Sequence, residues 1–386
     1  MKKIQPRLFF TLLKSKKRHS PLHGQIELTH RCNFNCKHCY CTGLTDSSSR
    51  LESESAQRRP QTADHELSTR EWKKILDEIQ KEGCLFVCFT GGEPLVREDF
   101  LEIYSYAKKK GFIITLFTNG YGLDKKIVTY LTKHPPCSIE ITLNGITQNT
   151  YESISQRKGS YSKVIENIKL LKEKKLSLLI KTNCLRENKA ELGQIKKWTE
   201  GLLGEFPERK YRFKYDVMIY LRLNGNKRLA DSRLSFKELE EMRKQDEDIW
   251  GEYQRGLHHV FPDLKRDRDF LYQCNAWMQN FFITPFGKLK FCTFSDKFSV
   301  DLRTTSFKEG FYEVFPQVLN ERFKTNSKCR DCSLRPICYH CPARAYLETG
   351  SEEAPVPYFC ELARMTASSV NNSQQSPGRY QPKSHR

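Results

Sequence analysis

Three cysteines in the stretch "THRCNFNCKHCYC" (29–41), Cys32, Cys36 and Cys39, are the residues of this chain whose types and spacing most directly suggest chemistry. Disulfide, zinc and iron–sulfur chemistry all use thiols, but each needs its own count. A structural zinc site closes with four ligands. A cubane iron–sulfur cluster held by three thiolates leaves one iron open to another ligand. Cys41 would have to double back to serve as a fourth. A second set lies toward the C-terminus: Cys274, Cys292 at the end of "GKLKFC", then Cys329-x2-Cys332-x5-Cys338-x2-Cys341, and Cys360. Alone, C-x2-C-x5-C-x2-C reads as zinc, yet four zinc ligands leave Cys274, Cys292 and Cys360 without a role.

The elements that must position these residues are legible as a beat. Strand-like runs are "GQIELT" (24–29), "LFVCFT" (85–90), "FIITLFT" (112–118), "CSIEITL" (137–143), "LSLLIKTN" (176–183) and "YRFKYDVMIY" (211–220), with amphipathic stretches between them. Ser68 or Thr69 and Asp124 read as helix N-caps, Gly83 and Gly111 as helix stops. Alternation of this kind predicts an α/β fold with a parallel sheet, open or curled into a partial (β/α)6 TIM-like barrel, followed by a small cysteine-rich domain. Ligands sit at the carboxyl ends of such strands. The special sequences fall there: the first cysteines after strand 1, "GGEP" after strand 2, "TNG" after strand 3, "NG" after strand 4.

The expected organisation is a basic N-terminal segment (1–21), the barrel (22–230) with a polar flexible insertion at 44–66, a helical bridge (231–272), the cysteine-rich domain (273–365) and a disordered tail (366–386). The chain has 386 residues, 15 of them cysteine, and a net charge of +19. No apolar run approaches the roughly 18 residues that span a bilayer. The apolar patch near the start is too short for a secretory signal, so the chain reads as cytoplasmic and not membrane-bound. In a reducing compartment, 15 thiols point to metal or catalysis rather than disulfides. The basic surface fits an acidic peptide, nucleic acid or anionic lipid. No helix-turn-helix, finger pair or ribonucleoprotein motif sharpens the nucleic-acid reading.

C-x3-C-x-aromatic-C after the first strand, with "GGEP" after the second, resembles the radical S-adenosylmethionine (SAM) enzymes. The resemblance implies that Cys32, Cys36 and Cys39 hold a [4Fe–4S] cluster whose open iron chelates SAM. Reductive cleavage then gives a 5′-deoxyadenosyl radical that takes a hydrogen atom from substrate. It also places His38 near the adenine, and Gly91, Gly92, Glu93 and Pro94 at the SAM amino group. Asn119, Asn144 and Asn183, at the ends of strands 3 to 5, are SAM contacts by the same likeness or ordinary turn residues.

The seven later cysteines resemble the SPASM auxiliary-cluster extension of radical SAM enzymes that modify peptides and proteins. By that likeness Cys329, Cys332, Cys338 and Cys360 hold an outer [4Fe–4S] cluster, and Cys274, Cys292 and Cys341 an inner one whose remaining iron takes substrate or a non-cysteine ligand. The family spacing has three residues between the fifth and sixth cysteines; here Cys338 and Cys341 are separated by two. One or two auxiliary clusters would accept an electron or anchor substrate. Asp216 and Asp296 are candidate acid–base groups. The implied partners are a peptide or protein substrate, with an acidic leader steered by basic residues such as "KSKKRH", a separate protein for leader recognition, and an electron donor of flavodoxin or ferredoxin type. The competing readings are a sulfatase-maturase-like or small-molecule radical SAM enzyme, and a zinc-containing nucleic-acid-binding protein. Cys84, Cys88, Cys137 and Cys184 read as core residues.

Overall fold

In a computed structural model, which describes residues 19–41, 65–204, 212–246, 268–274, 276–338 and 341–374, the expected strands and helices succeed one another. They are β1 (His23–Glu27), α1 (Thr69–Lys81), β2 (Phe86–Thr90), α2 (Phe100–Lys109), β3 (Ile113–Thr118), α3 (Lys125–Lys133), β4 (Ser138–Thr142), α4 (Gln148–Ser155), α5 (Ser160–Glu173), β5 (Leu178–Asn183), α6 (Leu192–Leu203) and β6 (Phe213–Asp216). All six strands pair in parallel with their sequence neighbours, which makes the partial (β/α)6 barrel the beat predicts. The connection from β4 to β5 holds two helices where the pattern suggests one.

Local chemistry explains the boundaries. Ser68 caps α1 in a reciprocal box with Glu71, and Asp124 caps α3 by accepting from the Ile127 amide. Gly83 and Gly111 come after α1 and α2 with φ near +90°, where a side chain would be strained. Along the sheet one face is dry: Ile114, Leu116, Ile139, Ile141, Leu178 and Ile180 are no more than 1% exposed. Ile103, Val128, Leu131, Val164 and Ile168 of the helices are buried with them. The alternate residues, among them Cys88, Thr115, Phe117, Glu140 and Lys181, are half-buried on the other face.

The chain divides into two compact units: Met1–Leu234 with Cys274–Asn320, and Ser235–Gln273 with Glu321–Arg386. The first therefore takes in the opening part of the expected cysteine-rich domain. β7 (Asn280–Ile283) pairs in parallel with β1, and β8 (Lys288–Lys290) and β9 (Val300–Asp301) continue antiparallel, for nine strands among the described residues. The open edge of β1 would otherwise present unpaired backbone groups. Gly24 makes the join possible, because a Cβ there would lie 2.4 Å from the Phe281 ring.

In the second unit α7 (Phe236–Gln245) opens on a Ser235–Glu238 capping box. α8 (Pro342–Thr349) starts directly after Cys341, and α9 (Pro357–Gln374) carries Cys360. Where a tail is expected from 366, α9 runs on to Gln374, with Leu362, Ala363 and Thr366 buried along it. Residues 1–18, most of the insertion at 44–66, residues 247–267 of the expected bridge and residues 375–386 lie outside the described residues. No helix among the described residues is long and apolar enough to cross a membrane.

Candidate functional site

The cysteine loop leaves β1 and is stitched to the end of β2. Gly92 N donates to Thr29 O at 2.7 Å and Glu93 N to Arg31 O at 2.9 Å. Two glycines are required for that approach. Gly91 has φ +141°, and a Cβ on it would lie 2.2 Å from Thr29 O; one on Gly92 would lie 2.4 Å from Arg31 O. On its other side the loop rests on the end of α4, with Asn35 N and Lys37 N donating to Ser155 O and Ile154 O.

Side chains that no motif singles out brace this loop. Arg97, 7% exposed, donates to Leu28 O at 3.0 Å and Leu67 O at 3.1 Å while pairing with Asp99. Arg157 donates to Asn33 O at 2.7 Å and lies over the Tyr121 ring. Glu66 accepts from the Thr29 hydroxyl and from His30 N. Arg97 comes three residues after "GGEP", which is the one local signal that could have found it.

Glu93 is fully buried. Its carboxylate accepts from Thr118 Oγ1 (2.8 Å), Asn119 N (2.6 Å) and Leu95 N (3.1 Å). Burial outweighs those three bonds and pushes its pKa up to about 7. Asn119 ties this carboxylate to the cysteines: its Nδ2 donates to Asn33 Oδ1 at 2.7 Å and reaches Cys32 Sγ at 3.9 Å. Pro94 opens the short turn after Glu93.

His38, Asn144 and Asn183 join in one network, from which Asn119 stands apart. Asn144 Nδ2 meets His38 Nε2 at 3.1 Å, and Asn144 Oδ1 accepts from Asn183 N at 2.8 Å. The fully buried Asn188, hidden in sequence inside a helix-like stretch, donates to Asn144 O and Asn183 O and fixes both strand ends. Burial pulls His38 down to about 4, so its ring is neutral, and its buried Nδ1 has no hydrogen-bond partner.

The Cys32, Cys36 and Cys39 thiols interact electrostatically. Burial of its sulfur pushes Cys32 up to about 11, although the residue as a whole is exposed; burial pushes Cys36 higher. Cys41 is buried, and a hydrogen bond with Cys39, then burial, raise its thiol well above the ordinary range. Thiols held this close resist ionisation until a cation compensates them. None of the fifteen cysteines is in a disulfide, and three soft thiol donors on one loop suit an iron–sulfur cluster. Among the described residues no three His, Cys, Asp or Glu side chains stand in a ready metal-binding arrangement, so the thiols are neighbours rather than a formed ligand set.

Of the later cysteines, Cys274 and Cys292 belong to the barrel unit and Cys329, Cys332, Cys338, Cys341 and Cys360 to the second. Cys329 interacts with Cys332 and Cys360, and Cys338 Sγ lies 3.7 Å from Phe359 O. Asp216 is exposed at the end of β6, in register with Asn183. Asp296 pairs with Lys290 at 3.1 Å. On the sheet face that carries Cys88, Lys181 pairs with Glu140 at 3.3 Å over the Phe117 ring. Cys84 and Cys184 are buried as expected and Cys88 is half-buried, but Cys137 is exposed, because it stands just before β4 rather than within it.

A model described as the radical SAM superfamily matches residues 26–199. The chain is 29% identical over 175 residues to a PqqA peptide cyclase of Bradyrhizobium diazoefficiens, a match covering 45% of this chain and 42% of that protein, so less than half of that relative is spanned. It is 26% identical over 332 residues to the antilisterial bacteriocin subtilosin biosynthesis protein AlbA of Bacillus subtilis, covering 83% of this chain and 67% of that one. It is 24% identical over 354 residues to an AdoMet-dependent heme synthase of Methanosarcina barkeri, covering 86% and 94%. Its fold matches a solved structure of native anSMEcpe with bound AdoMet at TM-score 0.63 and 17% identity, over 92% of this chain and 100% of that one.

Proposed function

Because the chain belongs to the radical SAM superfamily, with relatives among SPASM-type peptide maturases, we propose that it cleaves SAM reductively and uses the radical to modify a side chain of a ribosomally made peptide or protein. Cys32, Cys36 and Cys39 would hold the [4Fe–4S] cluster, and Cys329, Cys332, Cys338 and Cys360 an auxiliary one. When bound and reduced by an external electron donor, the N-terminal cluster would supply the electron that splits SAM into methionine and a 5′-deoxyadenosyl radical.

The observation that carries this reading is Asn119. One residue bonds Glu93 through its amide and reaches Cys32 through its side chain, so a buried acceptor and the first thiol share one place. A ligand ammonium arriving there meets a carboxylate already oriented by three donors, and its charge favours the ionised form. Asn144 tethers the His38 ring through Nε2, and that ring would stack on the adenine. The half-buried sheet face with Glu140 and Lys181 offers polar contacts for a substrate shielded from bulk water.

The match to subtilosin biosynthesis protein AlbA over 83% of this chain supports a peptide substrate. Coverage of 94% of the heme synthase supports a small-molecule substrate as the second reading. Anaerobic co-expression with short peptides encoded nearby, with mass spectrometry of the products, separates the two. A peptide that loses hydrogen or gains a crosslink only when SAM cleavage is intact supports the first; unchanged peptides throughout would remove it.

A further inference from the structure

The cysteine turn of the second unit is built around an arginine. Arg335 N donates to Cys332 O at 3.1 Å and Cys338 N donates to Arg335 O at 3.2 Å, so its backbone links the two cysteine pairs. Its guanidinium is half-buried and donates to three backbone carbonyls: Arg268 O (2.9 Å), Phe270 O (2.6 Å) and Leu271 O (3.0 Å). It also stacks 4.8 Å from the centre of the Phe323 ring. Carbonyls and a ring fix the group in place without neutralising it. Among the described residues, the ionisable groups it interacts with are the sulfurs of Cys329, Cys332 and Cys338. The turn itself is held from below by Glu353, which accepts from Lys324 N and Thr325 N, and by Ser327, which donates to Glu353 O and accepts from Cys329 N.

We propose that Arg335 is the fixed counter-charge of this cysteine set and raises the reduction potential of the iron–sulfur cluster held there. The proposal rests on the reading that Cys329, Cys332, Cys338 and Cys360 bind such a cluster. Four thiolates around a cubane carry net negative charge, and each added electron makes it larger. A fixed cation near the sulfurs stabilises the reduced form more than the oxidised one, so the potential rises. An acceptor tuned upward takes an electron from a carbon radical more readily, which is the task an auxiliary cluster would have. Arginine suits the position because it stays charged when half-buried.

The test uses the full chain carrying C32A, C36A and C39A, so that any iron–sulfur signal belongs to the later cysteines. Iron content and a redox titration monitored by electron paramagnetic resonance are read for Arg335, R335Q and R335K. R335Q keeps amide donors for the carbonyls and loses the charge; R335K keeps the charge and loses the planar fork. The expected result is equal iron, a tenfold or larger shift in the reduction equilibrium of R335Q (about 59 mV lower for one electron), and R335K close to the parent. Loss of iron in R335Q with retention in R335K also supports the role. An unmoved potential in a fully loaded R335Q, or equal loss of iron in both variants, overturns it and leaves Arg335 as a brace. A parent that takes up no iron would instead refute the underlying reading.

Discussion

Glu93 shows what a single buried carboxyl does here. Three donors favour its ionised form, yet full burial prevails and holds its pKa at about 7, against the 4.5 of an ordinary glutamate. Between those values the folded chain keeps a proton that the unfolded chain has released. By linkage, stability from this group is fully present below the unfolded pKa and lost as pH rises through about 7. Buried His38, held down at about 4, contributes the opposite slope over this range, so the Glu93 effect is read as a difference: the urea-midpoint advantage of the metal-free, reduced parent over E93Q should fall from about pH 5 to about pH 7. A slope unchanged in E93Q would mean that another group titrates. Cys32 and Cys36 show the same physics with the opposite remedy, since a bound cation rather than a proton offsets the crowding.

At the scale of elements, the site is a junction of strand ends pressed together without side chains in the way. The two backbone bonds from Gly92 and Glu93 to the cysteine loop exist because nothing larger than hydrogen stands at 91 and 92. G92A brings a Cβ against the carbonyls of Arg31 and His30, which are backbone atoms that cannot swing aside, and should cost about 1–3 kcal/mol in denaturant titrations. G193A in α6 meets nothing within 4 Å and should be neutral or stabilising by up to about 1 kcal/mol. Equal effects of the two would contradict the close-approach account. Much of this scale is legible in the sequence: each of the six barrel strands falls inside or at the edge of its strand-like run, because alternating burial writes itself into residue type. What is not legible is long-range. The pairing of β7 with β1 depends on Phe281 finding the gap over Gly24, far away in sequence. Arg97, Arg157 and Asn188 act through backbone carbonyls of distant loops, and no spacing rule marks a residue for that.

Across the whole molecule, fifteen cysteines divide by neighbourhood. Cys32, Cys36 and Cys39 lie on the barrel loop beside Glu93, and five later cysteines lie in a unit with its own helices and its own arginine. In the proposed function the first group would start the radical, and the second would take up the electron once hydrogen has been abstracted. The most direct test is the yield of 5′-deoxyadenosine from SAM and a strong reductant under strict anaerobiosis, compared among the parent chain, C36A and C329A. The account predicts that C36A forms none while C329A retains cleavage after reconstitution. Undiminished 5′-deoxyadenosine from C36A would contradict it.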